Sequence, residues 1–142
     1  MSNTNNGKLT ASVEVRASRE KVWQAWTAPE HIMQWNNISD EWHTPYVENN
    51  VEPQGRFLFK MALKNGSAGF DYKGRYDEVT RYEKIAITLD DGRTTFITFN
   101  GSDPVLITES FDPDHNEPAD MQRDFCQAVL NNFKRYTESI SA

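Results

Sequence analysis

The sequence predicts an α+β domain in which a long C-terminal helix lies against an antiparallel sheet. Over residues 117–140, apolar residues recur every three or four positions, which predicts a helix of about six turns with one apolar face. Most of the preceding chain alternates between apolar and polar residues, as strands do. Asn-Gly and Asp-Gly pairs between these strands predict hairpins, and hairpins make neighbouring strands antiparallel. If the sheet is curved, sheet and helix enclose a cavity.

The apolar face of the long helix has one large residue on almost every turn. It comprises Met121, Phe125, Val129, Phe133, Tyr136 and Ile140, widened by Cys126 and Leu130. No other segment predicts a helix of comparable length. We expect Met121, Phe125 and Val129 to form part of the cavity wall, and the remaining residues to anchor the far end.

The first part of the chain predicts one strand followed by two short helices. Residues 1–7 are polar and Asn-rich, which predicts a disordered lead, and residues 8–142 are predicted to form one domain. Alternation over 9–15 predicts the first strand. Ser18 predicts the N-cap of a helix over 19–27, and Pro29 predicts the start of a second helix that ends near Trp35.

The middle of the chain predicts the remaining strands of an antiparallel meander. Residues 36–53 are irregular, with a short strand predicted near 46–51. Five further strands are predicted to follow, beginning near residues 56, 70, 85, 93 and 105. The predicted order is therefore β-α-α-β-β-β-β-β-β-α, with six to seven strands in the sheet.

Composition excludes several classes of function. The 142 residues carry 15 basic and 21 acidic side chains, and this acidic balance argues against binding to nucleic acid phosphates. The single cysteine cannot form an internal disulfide, which is typical of a reducing cytosol. No apolar run reaches the length of a membrane span, and the N-terminus has no signal-peptide pattern. We therefore predict a cytoplasmic protein without membrane insertion.

The residues after the first strand carry a family resemblance. The stretch 22–31, Val-Trp-Gln-Ala-Trp-Thr-Ala-Pro-Glu-His, followed by Gln34 and Trp35, resembles the opening motif of the heat-shock-protein-90 ATPase activator homologue (AHSA1-like) family. Residues 52–57 and 108–111 resemble two later segments of that family, and 127–136 resembles its closing helix. The family lies in the START-like, SRPBCC or Bet v 1-like superfamily. The resemblance implies a helix-grip fold, in which a curved antiparallel sheet grips the C-terminal helix around a hydrophobic cavity.

Glu109 is the sharpest candidate for a functional side chain. Ile107 and Phe111, two residues away on either side, place it on the face that is expected to meet the core or cavity. A carboxylate there is costly unless it is paired or hydrated. It would orient a ligand or act as a general base with a raised pKa. The alternatives are an inverted strand face, or a structural ion pair with Arg75 or Arg93.

The irregular stretch between Trp35 and Tyr46 is the second candidate. It contains Asp40, Trp42 and His43, and His43 could exchange a proton near neutral pH. The alternative is that the tryptophans cap the core and His43 lies in solvent. Asp40 and His43 would hold a metal only with a further ligand, and no histidine has a metal-motif spacing. We therefore predict no metal and no cofactor.

Aromatic residues on the strands either fill the core or line a ligand pocket. Tyr72 and Tyr76 are the better pocket candidates because a buried phenol needs a hydrogen-bond partner. Gly74 lies between them and would either admit a ligand or let the sheet bend. Cys126 shows no catalytic partner in the sequence, so we expect a buried, unreactive thiol. The complete predicted ligand-binding set is Trp35, Trp42, His43, Phe57, Phe59, Tyr72, Tyr76, Phe96, Glu109, Phe111, Met121, Phe125 and Val129.

Three functions follow from these predictions. The first is binding of a lipid-like or aromatic small molecule, with Tyr72, Tyr76, Glu109 and His43 as its polar contacts. The second is an enzyme of polyketide-cyclase type with Glu109 or His43 as the general base. The third is a chaperone partner, although the chain is expected to have room for no second chaperone-docking domain. The sequence leaves open whether two copies associate as a homodimer.

Overall fold

The computed structural model describes residues 8–37 and 39–141, and it has the predicted order of elements. The predicted disordered lead at 1–7 lies outside the described residues. The strands and helices are β1 (Leu9–Val15), α1 (Arg19–Thr27), α2 (Pro29–Trp35), β2 (Trp42–Asn49), β3 (Arg56–Leu63), β4 (Gly69–Thr80), β5 (Lys84–Leu89), β6 (Thr94–Gly101), β7 (Val105–Phe111) and α3 (Ala119–Ser141).

The strands form one curled antiparallel sheet that grips α3, so the helix-grip prediction is confirmed. All seven strands belong to this sheet, in the order β1-β7-β6-β5-β4-β3-β2. Hairpins connect the strands from β2 to β7, and glycines with positive φ occupy three of these turns, at Gly66, Gly92 and Gly101. The first strand, β1, pairs with the last strand, β7. The two edges of the sheet are therefore β1 and β2.

Local signals explain the two short helices. The Ser18 side chain accepts a hydrogen bond from the Lys21 backbone N–H at 3.3 Å and caps α1. Pro29 occupies the first turn of α2, where its missing N–H costs nothing. Both helices therefore begin and end at the predicted residues.

The long helix lies beside the edge strand β1. Gln127 donates from Nε2 to the Ser12 carbonyl at 2.8 Å, and Lys134 donates from Nζ to the Glu14 carbonyl at 2.8 Å. Further along, the Arg16 backbone N–H donates to the Glu138 carboxylate. The first half of α3 therefore faces the beginning of β1 and the end of β7, which is its antiparallel neighbour.

The densest packing lies at the second half of α3. Leu130 and Phe133 are fully buried, and Phe133 meets the rings of Trp26 and Trp35 at centroid distances of 5.0 Å. Phe99 on β6 joins the same cluster through Trp26. In contrast, Phe125 in the first half of α3 is 40% exposed, so its predicted place in the cavity wall was wrong. The concave side of the sheet is thus filled with side chains at one end of α3 and less completely covered at the other.

Three predictions about local structure were wrong. Residues 42–49 form a longer strand than predicted; its register shifts between His43 and Tyr46, where an edge strand tolerates Pro45. Of the two roles predicted for Gly74, admitting a ligand was wrong, because an added Cβ would lie 2.3 Å from the Thr88 carbonyl oxygen and no gap is left. The close approach of β5 thus requires this glycine. Ile140 does not anchor the helix, since it is 48% exposed.

Candidate functional site

Glu109 lies on the inner face of β7, as its sequence position predicted. In the sheet it is opposite Ala11 of β1 and Ile97 of β6, and both neighbours are buried. The contact between Gln127 and the Ser12 carbonyl holds the first half of α3 over this part of the sheet. Glu109 is therefore held between the sheet and the less covered half of the helix.

Burial controls the charge of Glu109. The surrounding protein atoms raise its pKa from 4.5 to about 7, because they remove water that would solvate the carboxylate. A hydrogen bond from the Cys126 thiol opposes this effect and lowers the pKa. The residue as a whole nevertheless keeps part of its surface exposed. Near neutral pH, Glu109 can therefore be either protonated or charged.

Cys126 is the partner that sequence reasoning missed. It lies on α3, and burial together with the nearby Glu109 carboxyl raises the pKa of its thiol. The thiol is therefore a neutral, weak hydrogen-bond donor, which fits the predicted unreactive cysteine. Cys126 was expected beside the apolar stripe of the helix, but only the docking of α3 on the sheet shows what it faces.

Tyr72 on β4 completes the polar group around Glu109. Burial raises the pKa of its phenol, and the charge of the Glu109 carboxylate raises it further. A hydrogen bond between the Tyr72 and Thr95 hydroxyls opposes this shift, and Thr95 is itself only 5% exposed. The arrangement thus brings one carboxyl, one thiol and two hydroxyls together among apolar side chains.

No arginine pairs with Glu109 among the residues that the structure describes. Arg75 binds Asp77 and Arg93 binds Asp91, with N–O distances of 3.0 and 2.8 Å. Both alternatives that would have made Glu109 a structural ion pair are therefore wrong. The raised pKa of Glu109 is consistent with this absence of an arginine partner, since a nearby cation would lower the pKa.

Four aromatic rings on β3 and β4, including that of Tyr72, pack together around Phe57. Phe57 meets Phe59, Tyr72 and Tyr76 with ring centroids 5.5, 5.6 and 5.3 Å apart. The Tyr76 hydroxyl donates to the side-chain carbonyl of Asn49. Tyr76 thus has the expected partner and needs no ligand to satisfy it, whereas Phe59 and Tyr72 are only partly buried.

Several predicted ligand contacts lie elsewhere. Trp35 belongs to the packed core and donates its indole N–H to the Ala25 carbonyl at 2.9 Å. Phe96 points to the outer face of the sheet and is 40% exposed, so its predicted place in the interior was wrong. Trp42 packs edge-to-face against the exposed ring of Phe70, with ring centroids 5.6 Å apart.

The predicted second site between Trp35 and Tyr46 does not join Glu109. His43 lies on β2 opposite Ala62, and four strands separate β2 from β7 in the sheet. Tyr46 is 43% exposed and donates its hydroxyl to Glu48. Within residues 8–37 and 39–141, no group of three or more His, Cys, Asp or Glu side chains is placed to hold a metal ion.

Two surface clefts lie away from Glu109. One, of about 610 Å³, lies between the β5–β6 turn and the loop before α3, around Arg93 and His115. The other, of about 590 Å³, lies beside α1 and is lined by Trp23 and Tyr82 among others. Neither cleft is lined by a residue predicted for the ligand site. In the described part of the chain, no helix is both long and apolar enough to span a membrane.

Comparison with known proteins places the chain among characterised folds. The sequence model of the family described as "Activator of Hsp90 ATPase homolog 1-like protein" matches residues 16–137. No curated protein matches the chain. An AHSA1-like protein from Aeromonas hydrophila is 34% identical, with a TM-score of 0.85 over 93% of this chain and 94% of that one.

Two further solved structures are similar. A protein from Cytophaga hutchinsonii is 44% identical, with a TM-score of 0.81 over 94% of each chain. A protein from Nitrosomonas europaea is only 16% identical, but has a TM-score of 0.81 over 99% of each chain. The last likeness concerns the fold alone.

Proposed function

The chain belongs to the family of Activator of Hsp90 ATPase homolog 1-like proteins, and we propose that it binds a small hydrophobic molecule between α3 and the curled sheet. The fold of this family is that of a ligand-binding type of domain. The ligand lies beside the first half of α3, because the second half is filled by Phe133 and the tryptophans around it.

The observation that carries this proposal is the carboxyl of Glu109, which has only the weak thiol donor Cys126 and no cation as its partner among the described residues. A buried polar group without a strong partner is costly, so a fold that served only stability would gain by replacing it with an apolar residue. A ligand that hydrogen-bonds Glu109 would supply the strong partner that the Cys126 thiol is not. The proposed lining has few polar side chains and is otherwise apolar, as is usual for small-molecule sites. It consists of Phe59, Tyr72, Glu109, Phe111, Met121, Cys126 and Val129.

Partial exposure supports an opening at this end of the molecule. Glu109, Cys126 and Val129 all keep some accessible surface although they face the interior. Phe125 lies on the adjacent surface of α3 and is among the exposed large apolar residues. A hydrophobic ligand entering here would cover apolar surface that is otherwise in contact with water.

Fluorescence titration with the neutral probe N-phenyl-naphthylamine tests this proposal. We expect saturable binding to the native protein. Val129→Trp would fill the proposed space and should weaken binding at least about tenfold, since a clash forfeits well over 1.4 kcal/mol. Asn131→Trp, two residues away on an exposed position of α3, is the matched control and should bind as the native protein does. Equal binding by both variants, or no saturable binding at all, contradicts the proposal.

A second candidate function is general-base catalysis by Glu109. The pKa of about 7 favours this function for two reasons. A carboxylate with this pKa is a stronger base than an ordinary carboxylate in water, and slightly above neutral pH most of it is still ionised. Nitrobenzisoxazole is a suitable probe, because a base that removes its ring C–H proton breaks the N–O bond and releases a coloured cyanophenolate. Turnover that rises through about pH 7 and is lost in Glu109→Gln would support catalysis. Equal rates in the native protein and in Glu109→Gln would refute it.

A further inference from the structure

Glu109 is the one residue of the proposed lining that carries a full charge near neutral pH. Glu109 brings a carboxyl to the inner face of the sheet, whereas the lysines and arginines of the described residues are exposed or paired with acids. The four that are only partly exposed form ion pairs with an acidic residue: Lys8 with Asp112, Lys84 with Glu78, Arg93 with Asp91, and Lys134 with Glu138. Within the described residues, therefore, no protein cation neutralises Glu109.

The groups that face Glu109 from the neighbouring elements remain neutral near pH 7. From β1 and β6 the neighbours are Ala11 and Ile97, which do not titrate. Tyr72 of β4 and Cys126 of α3 do titrate, but burial and the Glu109 charge raise the pKa of each. Glu109 is therefore the group whose charge changes near neutral pH in this part of the interior.

Tyr72 of β4, whose phenol lies near Glu109, packs against aromatic rings of β3. The rings of Phe59 and Tyr72 are 5.9 Å apart, and Phe57 contacts both. The electron-rich faces of aromatic rings attract cations, and the attraction is strongest where water is excluded. A carboxylate beside such rings is the combination that recognises an organic ammonium ion.

From these observations we propose that the ligand of this site carries a basic amine on a hydrophobic body, and that the site rejects hydrophobic molecules ending in a carboxylate. This inference rests on the proposed function. An ammonium ion would displace the proton from Glu109 and pair with the carboxylate in a poorly solvated site, where charge attraction is strong. A carboxylate ligand would meet a like charge, and would have to bring a proton with it or protonate Glu109.

Three probes with the same apolar chain and different head groups test the selectivity. They are octylamine, octanol and nonanoate, and calorimetric titration at about pH 8 compares their affinities. We expect octylamine to bind at least about tenfold more tightly than nonanoate, with octanol between them, because a charged hydrogen bond contributes about 1.5 kcal/mol or more. Glu109→Gln should abolish this preference. Glu14→Gln, an exposed substitution on the adjacent strand, should retain it.

Proton exchange gives an independent readout. At about pH 6, where most of Glu109 is protonated, octylamine binding should release a proton to the buffer. Titrations in two buffers with different ionisation enthalpies measure that proton directly. The release should disappear in Glu109→Gln, while octanol should release no proton from either protein.

The outcomes separate this inference from the proposed function. If nonanoate binds as tightly as octylamine, or if Glu109→Gln leaves their ratio unchanged, the amine selectivity is refuted. If these same probes lose binding in Val129→Trp, the interior site itself still stands. If none of the three probes binds the native protein, both the site and its selectivity are refuted.

Discussion

Replacing Glu109 by glutamine should stabilise the protein at alkaline pH and leave its stability almost unchanged in mild acid. Glutamine has nearly the same shape as a protonated glutamate but cannot ionise. In the folded protein, burial raises the pKa of Glu109 to about 7, whereas the unfolded chain holds it near the ordinary value of 4.5. The folded state therefore binds this proton more tightly than the unfolded state does.

The size of the effect follows from the two pKa values. Each pKa unit corresponds to about 1.4 kcal/mol, so a rise from 4.5 to about 7 is worth about 3 kcal/mol. The contribution of protonated Glu109 to stability is complete below about pH 4.5 and is lost as the pH rises through about 7. The advantage of Glu109→Gln should thus grow over this interval and level off near 3 kcal/mol above about pH 8.

Urea unfolding at several pH values between about 5 and 8 measures this difference as a free energy of unfolding. The native protein, Glu109→Gln and the exposed control Glu14→Gln are compared at each pH. The control should follow the native curve, because Glu14 lies on the outer face of β1 in solvent. The reasoning is refuted if Glu109→Gln is the less stable protein at about pH 8, or if its difference from the native protein does not change with pH.

Three further predictions concern packing and the thiol. Phe133→Ala should lower the free energy of unfolding by about 4 kcal/mol, whereas Phe125→Ala should change it by less than about 0.5 kcal/mol, since only Phe133 is buried. Equal losses of stability in urea unfolding would contradict this difference in packing. Gly74→Ala should lower the free energy of unfolding by about 3 kcal/mol, because the added Cβ would lie 2.3 Å from the Thr88 carbonyl oxygen. A thermal unfolding midpoint equal to that of the native protein would contradict this, since it would mean that β5 can move away from the added Cβ. Cys126 should react with a disulfide reagent many times more slowly in the folded protein than in urea, because partial burial and Glu109 raise the pKa of its thiol. As the single cysteine, it gives an unambiguous absorbance signal. Equal rates in the folded and unfolded protein would refute its placement beside Glu109.

The elements that could be predicted are those with strong local signals. Alternation places Ala11, Val13 and Val15 on one face of β1, and the structure buries all three. The Ser18 cap and the proline at the start of α2 mark helix boundaries that depend on backbone chemistry within a few residues. The glycine turns determined the order of the meander for the same reason.

The errors lie where the local pattern permits two arrangements. Residues 95–99 of β6 offer apolar side chains on both faces, so alternation alone did not show that Phe96 points outward. The register with β7, which places Ile97 opposite the inward-facing Glu109, decides the question. The apolar stripe from Met121 to Ile140 correctly identified α3 as amphipathic. Phe125 and Ile140 are nevertheless exposed, because the buried contacts of the helix lie between them, at Leu130 and Phe133.

The sequence by itself determined that a long amphipathic helix closes an antiparallel sheet, because this follows from periodicities of neighbouring residues. For Glu109 the alternation favoured the interior face but left the opposite face possible. Only the tertiary structure decided which end of the helix is packed with tryptophans, and that Cys126 and Tyr72 surround Glu109 while the arginines pair elsewhere. These contacts join β4, β7 and α3 across the curl of the sheet. They depend on how elements distant in the chain are brought together, which no local pattern of residues specifies.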